Sequence, residues 1–372
     1  MQNKFKIAHL TSAHPRFDTR IFTKEAVSLV KSGYEVVLVV ADSLGDEVKE
    51  GVFIYDVGKC GGRFCRVTKS VNAVFKKALE LNCDIYHLHD PELMPIGLKL
   101  KKLGKKVIFD AHEDLPLQIL SKPYLNRPVL KILSILVKWY ENYACSRFDA
   151  VICATDFIKD KFLKVNPNSF AIKNYPLISE FNSSCSWEKK QNEVCYIGSI
   201  SEVRGIKDIV KALEFLPNVR LNLAGKFNDK ELEREVKSYK GWQQVNELGF
   251  LNRMQIATVL ERSKIGLVTL HPIPNYIDAL PTKMFEYMLS CIPVVSSDIK
   301  LWKDIIDSAN CGVAVNPKEP KEIAKAIKYL LEHEELAQKM GKNGKEAVLK
   351  HYNWEAEEKK LLEIYKKLLS KN

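Results

Sequence analysis

The chain has 372 residues, 46% of them hydrophobic, which is too much for one ordinary core, so two domains of about 150 to 180 residues each are expected. No window carries the ~18 to 20 uninterrupted apolar residues of a membrane span, and the opening MQNKFKIAHLTSAH lacks the apolar stretch of a signal peptide, so a cytoplasmic protein is expected. The net charge of +11 lies mostly in residues 1–177 and suits nucleic acid, anionic lipid or phosphorylated ligands alike, while nine cysteines without paired CxxC spacing read as reduced, mostly buried thiols rather than zinc ligands.

From the first residues, short Val- and Ile-rich runs alternate with helical patterns, the signature of βαβ units and a parallel sheet. Lys6 to Leu10, Glu35 to Ala41, Val52 to Tyr55, Ile85 to Leu88, Val107 to Phe109, Val151 to Ala154 and Phe170 to Ile172 are predicted strands. Ile21 to Lys31, Val67 to Leu81 and Val129 to Tyr143 carry apolar residues at helical spacing. The run Lys99, Lys101, Lys102, Lys105, Lys106 reads as the solvated face of a helix. Asn174 to Asn192 loses periodicity and fills with Asn, Ser and charge, as a linker does.

A second series follows, with strands at Val194 to Ile197, Arg220 to Leu223, Val245 to Leu248, Ile265 to Thr269, Val294 to Ser296 and Val313 to Val315. Helices such as Ile206 to Leu216 and Met254 to Arg262 separate them. The expected organisation is α/β throughout: a Rossmann-like domain over 1–177, a linker over 178–192, a second Rossmann-like domain over 193–352 and an amphipathic terminal helix over 353–372. Two such domains facing across a cleft would gather the carboxyl ends of both sheets, where ligands bind in open α/β sheets.

The residues with chemistry to offer cluster at predicted strand ends. In NYIDALPTKMFEYMLSCIPVVSSD, Ala279, Leu280, Pro281 and Thr282 lead into a helix for which Thr282 is a plausible N-cap. The helix start offers free N–H groups and positive dipole to a phosphate, Lys283 adds a point charge, and Glu286 one turn later suits a ribose diol. Gly198 ends a strand and permits close backbone approach, with Arg204 and Lys207 following as cations for a diphosphate. Gly225 ends another strand, and Phe250 reads equally as core or as a platform for a base.

In the first half, Asp110, His112 and Glu113 lie at the end of one strand, and His89 and Asp90 at the end of another. His87 and His89 alternate onto one face, yet no third ligand at strong spacing makes them a metal site, so no metal is expected. After the first strand come His14, Asp18 and Arg20, which either bring charge to a cleft or, for Asp18, cap the helix near Ile21. The segment from Pro128 to Arg147 shows Leu130, Leu133, Val137 and Tyr140 along one stripe, with Lys131, Lys138 and Trp139 available to an anionic membrane surface, or else packs on its own sheet.

Over nearly its whole length, and above all from Asn275 to Asp298, the chain resembles the retaining glycosyltransferases of family 4, which have the GT-B fold. The first half is similar to the family's HPxFDTRIFxKEA and DxHE variants, at His14 to Ala26 and at Asp110 to Glu113. The resemblance implies transfer of a sugar from a nucleotide diphosphate sugar, with Asp278 where the family has its first acid near the donor sugar and Glu286 at the second. It also implies that His112 lies beside the transferred sugar, that Arg204 and Lys283 stabilise the leaving phosphate, and that His14, Asp18, Arg20, His89, Asp90, Asp110 and Glu113 serve the acceptor side. The terminal helix is implied to return to the first domain, and Ser199 replaces the Arg that usually follows the glycine.

The implied partners are a nucleotide sugar and a glycan or lipid-linked acceptor, with peripheral contact at the inner face of an anionic membrane, no nucleic acid, and no cofactor beyond the donor. The competing readings are a nucleotide-sugar epimerase or hydrolase, distinguished by donor turnover without acceptor, and a non-catalytic nucleotide-sugar binding protein. A nicotinamide oxidoreductase is disfavoured because no GxGxxG turn follows the first strand.

Overall fold

A computed structural model describes residues 5–120, 126–181, 185–188 and 190–370. The chain divides into two compact units, Met1–Asn174 with Ala356–Asn372, and Tyr175–Glu355. The division therefore falls at Asn174/Tyr175 and Glu355/Ala356, where 177/178 and 352/353 were expected.

The first unit holds β1 (Lys6–Leu10), β2 (Glu35–Val40), β3 (Glu47–Lys49), β4 (Val52–Asp56), β5 (Ile85–Leu88), β6 (Lys106–Ala111), β7 (Ala150–Cys153) and β8 (Ser169–Ala171). They form one sheet in the order β3-β4-β2-β1-β5-β6-β7-β8, parallel except for β3 against β4. That short edge strand has no alternating apolar signature and was not predicted. It forms because Glu50 and Gly51 both take positive φ, 50° and 79°, the backbone of a two-residue hairpin turn.

Side chains alternate across the sheet, so Ala8, Leu10, Tyr86, Leu88, Val107, Phe109 and Ala111 enter one apolar core. By the same alternation His9, His87 and Asp110 lie on the opposite face, where parallel sheets usually carry Val and Ile. A helix that begins as π-turns over Thr19–Ala26 and continues as α over Val27–Lys31 supplies buried Arg20, Lys24 and Glu25. The terminal helix Trp354–Ser370 belongs to this unit from Ala356 onward, with Leu361, Ile364 and Tyr365 buried and the Tyr365 hydroxyl 2.7 Å from His87 Nδ1.

The second unit holds β9 (Gln191–Ile197), β10 (Arg220–Ala224), β11 (Val245–Gly249), β12 (Ser263–Val268), β13 (Val294–Ser297) and β14 (Gly312–Val315), all parallel, in the order β11-β10-β9-β12-β13-β14. The strand order reverses at β9/β12, as it does at β1/β5 in the first unit, and ligands bind beyond strand carboxyl ends at such points. Cores line both faces of this sheet, with Val194, Tyr196, Leu221 and Leu223 on one and Cys195, Ile197, Met284 and Phe285 on the other.

Three expectations are corrected. The stretch read as a linker is built into the second unit: Tyr175, Phe181 and Trp187 are buried in its cores, and β9 already begins at Gln191. Aromatic anchors scattered among Ser, Asn and charge give no periodicity, so the packing was hidden. Nor are all the cysteines thiols: Cys60 pairs with Cys65 and Cys185 with Cys291, while Cys83, Cys145, Cys153, Cys195 and Cys311 are free and buried. A separation of 106 residues is invisible to spacing rules.

The third concerns the helix Arg127–Cys145, where the packing alternative holds for Leu130 and Tyr140. Leu130, Ser134, Glu141, Ala144 and Cys145 are buried and Tyr140 is partly buried against the core, while Leu133 is exposed, so the four residues do not form one outward stripe. The exposed apolar residues are Val129, Ile132, Leu133, Ile135, Leu136, Trp139 and Tyr143, with Trp139 68% exposed. Among the described residues, no helix is long and apolar enough to cross a membrane.

Candidate functional site

In the second unit, β9 is followed at once by Gly198 with φ 128°, where a Cβ would lie 3.2 Å from Lys283 Nζ and 3.7 Å from Arg204 Nη1. A bare backbone and two cations thus converge. Lys283 lies in the first turn of the helix Thr282–Leu289, and its position is fixed by the packing of that helix on the sheet. Tyr287 lies against Gly266 of β12, where any Cβ would come within 2.3 Å of its ring, and its hydroxyl accepts a 3.0 Å hydrogen bond from the Ile197 N–H. Arg204 ends a 3₁₀ turn, Glu202–Arg204, that Gly205 closes at φ 81°.

Lys283 Nζ is buried, makes no hydrogen bond, and sits 3.6 Å from the centre of the Tyr196 ring. Burial, and then the Arg204 charge, push its ammonium well below a lysine's ordinary value. Two basic side chains thus lie side by side, one of them buried without a hydrogen bond near the start of a helix.

Glu286 is 5% exposed and accepts a 2.8 Å hydrogen bond from Arg253 Nη2, which also reaches Glu180 Oε2 at 2.9 Å. Sequence reasoning missed Arg253; its signal was a cation at the first position of the helix Arg253–Arg262, which Asn252 and Gln255 cap reciprocally. Phe250 is 76% exposed, which excludes the core reading, and lines a cavity of about 260 Å³ with Gly198, Ser199, Gly225, Lys226 and Leu251. At Gly225 a Cβ would lie 1.9 Å from the Gly198 carbonyl oxygen, so only glycine fits there.

Other expected members stand differently. Thr282 is not the N-cap: Pro281 occupies that position without a side-chain cap bond, and Thr282 is the first helical residue. Leu280 packs against the core beside this helix. Asp278 is half-buried in the turn over 274–278. Lys207 is drawn to carboxylates, 3.2 Å from Glu202 and 2.8 Å from Glu235, and so is held by its own surface ion pairs.

In the first unit, Asp90 receives hydrogen bonds at one oxygen from the Thr11 hydroxyl at 2.8 Å and the Ser12 N–H at 2.6 Å. Its other oxygen is 3.4 Å from His14 Nε2. Asp18 caps the following helix through the Arg20 and Ile21 N–H groups and also lies 3.5 Å from His14. Burial works against its charge, yet the His14 contact and the Ile21 N–H hold the carboxyl well below the usual range.

Arg20 and Asp110 form a buried bidentate pair at 2.8 and 2.9 Å, and Arg20 also donates to the Ile172 carbonyl at 2.8 Å. His112 Nε2 is 3.1 Å from Asp110 Oδ2 and 3.3 Å from His89 Nδ1. Asp110 rather than Glu113 therefore orients this imidazole; Glu113 accepts from Gln118. Burial, opposed by Asp110, lowers His89 to about 4. His14, His89, Asp90, Asp110, His112 and Glu113 border one cavity of about 300 Å³.

His87 and His89, for which the sequence offers no third ligand at strong spacing, have further ligand-type neighbours in space. Strand pairing sets His9 beside His87, and the helix above brings Glu25, so His9, Glu25, His87 and His89, all fully buried, present ligand atoms within 4.8 Å of one another. His9 escaped notice as a lone residue in an apolar strand, and Glu25 as an acid in an amphipathic helix. Only the strand register unites them.

Comparison with known proteins agrees with this architecture. Residues 20–170 match the model "Glycosyltransferase Family 4" and residues 179–347 match "Glycosyl transferases group 1". The alpha-D-kanosaminyltransferase of Streptomyces kanamyceticus is 24% identical over 277 residues, 68% of this chain and 70% of that protein. Among the first curated relatives the matched part covers 51% to 70% of their length. The sucrose-phosphate synthase of Thermosynechococcus elongatus superposes with a TM-score of 0.81 at 17% identity, over 99% of this chain and 100% of that one. Anabaena HepE in complex with UDP and glucose gives 0.75 at 15% identity, over 98% and 100%. The two units are thus matched in chain order by two glycosyltransferase models, each over less than half of the chain, and the solved structures show that the chain has the GT-B fold.

Proposed function

We propose that the chain transfers a sugar from a nucleotide diphosphate sugar to an acceptor, with retention of configuration, in surface glycan or glycolipid synthesis. The observation that carries this reading is Lys283 Nζ, buried without a hydrogen bond beside Gly198 and Arg204 at the start of a helix. Such a group suits a diphosphate, whose charge Arg204, Lys283 and the helix dipole would stabilise as it departs, without a catalytic metal. Phe250 flanks the base, Glu286 with Arg253 holds the ribose, and Asp278 meets the donor sugar. In the first unit His112, oriented by Asp110, serves the transferred sugar, and His14, Asp18, Arg20, His89, Asp90 and Glu113 shape the acceptor side.

Retention follows from the resemblance to family 4 and from a front-side displacement in which the leaving phosphate takes the acceptor proton. The acceptor is a glycan or a lipid-linked carrier at the inner face of an anionic membrane, approached through Ile132, Ile135, Leu136 and Trp139 with Lys131 and Lys138 nearby. The sibling fold of HepE, which binds UDP and glucose, makes UDP-sugars the first donors to try. A thermal-shift and calorimetric screen of UDP-, GDP-, ADP- and dTDP-sugars tests the reading. Binding of at least one is expected. Failure of all four would remove the donor site, and donor turnover without acceptor would favour a hydrolase or epimerase.

A further inference from the structure

We propose that His9, Glu25, His87 and His89 form a closed structural site for one divalent transition-metal ion of the zinc class. Glu25 Oε2 stands 3.9 Å from His9 Nδ1, 3.8 Å from His87 Nδ1 and 4.0 Å from His89 Nε2. These separations are too long for hydrogen bonds, and neither carboxylate oxygen of Glu25 makes one. Oε1 instead lies 3.2 Å from Arg20 Nε, so Arg20 holds the carboxylate while Oε2 turns toward three imidazoles.

A hydrogen-bonded polar core would satisfy its members, because each buried polar atom left without a partner is costly. This cluster instead leaves both Glu25 oxygens without hydrogen bonds. A cation lying between Oε2 and the three ring nitrogens would satisfy the carboxylate and use imidazole in its neutral, ligand form. Three imidazole nitrogens and one carboxylate oxygen are a donor set for tetrahedral zinc, and four protein ligands leave no open position, as in structural sites.

The second shell is already in place. Asp110 Oδ2 lies 3.4 Å from His89 Nδ1, the ring nitrogen turned away from the ion, and Asp110 is locked by Arg20, while His87 Nδ1, 2.7 Å from the Tyr365 hydroxyl, would exchange that bond for one to the ion. His9 Nδ1 and His89 Nε2, 2.8 Å apart and hydrogen-bonded, would exchange that bond for two bonds to the ion. The ion would then tie β1, β5 and the Thr19–Lys31 helix together and hold His89 against His112.

The test uses the full chain, purified without chelator. Elemental analysis should find about one equivalent of zinc that survives dialysis. Chelator-stripped protein should take up Co²⁺ with the intense visible bands of a tetrahedral complex, and Zn²⁺ should raise its melting midpoint by about 5 °C or more. Glu25→Gln and His87→Ala should lose the ion, whereas His112→Ala should keep it. That last variant separates this site from the neighbouring trio His89, Asp110 and His112, whose ligand atoms also lie within 4.8 Å of one another. Loss of the ion in His112→Ala would overturn the assignment. Folded wild-type protein with no retained metal, no Co²⁺ bands and no thermal response would overturn the site altogether, whether or not the Glu25 and His87 variants fold.

Discussion

Replacing Lys283 by methionine should move stability and donor affinity in opposite directions. The ammonium is buried, makes no hydrogen bond, and shares its surroundings with Arg204. An apolar side chain of similar length keeps the contact with the Tyr196 ring and removes the desolvated charge. Exchanging buried charge for well-packed apolar groups typically gains about 1 to 4 kcal/mol, and in a unit of this size each kcal/mol is about 2 to 4 °C of melting midpoint. The same change removes a charge-assisted contact to the diphosphate, about 1.5 to 3 kcal/mol, or about 10- to 150-fold in Kd.

The pH dependence has a definite sign. Burial followed by Arg204 depresses the folded-state value of Lys283, so below the ordinary lysine value of about 10.4 the unfolded chain binds the extra proton. Ligand-free wild type should therefore lose stability as pH falls from about 10.4 toward the depressed folded value, and Lys283→Met should lack that component of the slope. Thermal melts with and without the best UDP, GDP, ADP or dTDP ligand, together with calorimetric Kd, read all three effects. A variant that is less stable than wild type and binds the nucleotide equally well would refute the reasoning.

Glu286→Ala should weaken donor binding by about 1.5 to 3 kcal/mol, measured by calorimetry, while Arg253→Ala should chiefly lower the melting midpoint by leaving Glu286 buried without its partner. His112→Ala should reduce kcat more than donor affinity; unchanged kcat with a lowered midpoint would make the residue structural. Arg20→Met leaves Asp110 and Glu25 without their cation and should cost about 3 to 5 kcal/mol in denaturant titrations. Arg20 helps hold Asp110 below the carboxylate range against burial, so its stabilisation is present above about pH 3.9 and is lost as pH falls; in the variant acid unfolding should begin at higher pH. Flotation with anionic vesicles should capture the wild type at low salt and release it at high salt, and Trp139→Ser should weaken capture; indifference to anionic vesicles at low salt would end the membrane proposal.

Local sequence was enough to determine the alternation of strand and helix, because short Val- and Ile-rich runs and amphipathic periods record which face each element buries. It also identified the helix starting at Thr282 and the glycine just after β9, since a turn that needs φ 128° and a backbone with no room for a Cβ leave their mark in residue type. Tertiary structure decided whatever depends on partners remote along the chain. Arg253 meets Glu286 across 33 residues, Arg20 meets Asp110 across 90, and Cys185 reaches Cys291 across 106. The outward face of the Arg127–Cys145 helix could not be read from a stripe, because apolar residues surround much of that helix and only its packing chooses which are covered. His9 and His87 are unremarkable apart until parallel register sets them side by side, and Glu25 joins them only because its helix lies over that face. Period and turn chemistry are local, whereas the pairing of buried charges is set by strand order and register, which no single segment encodes.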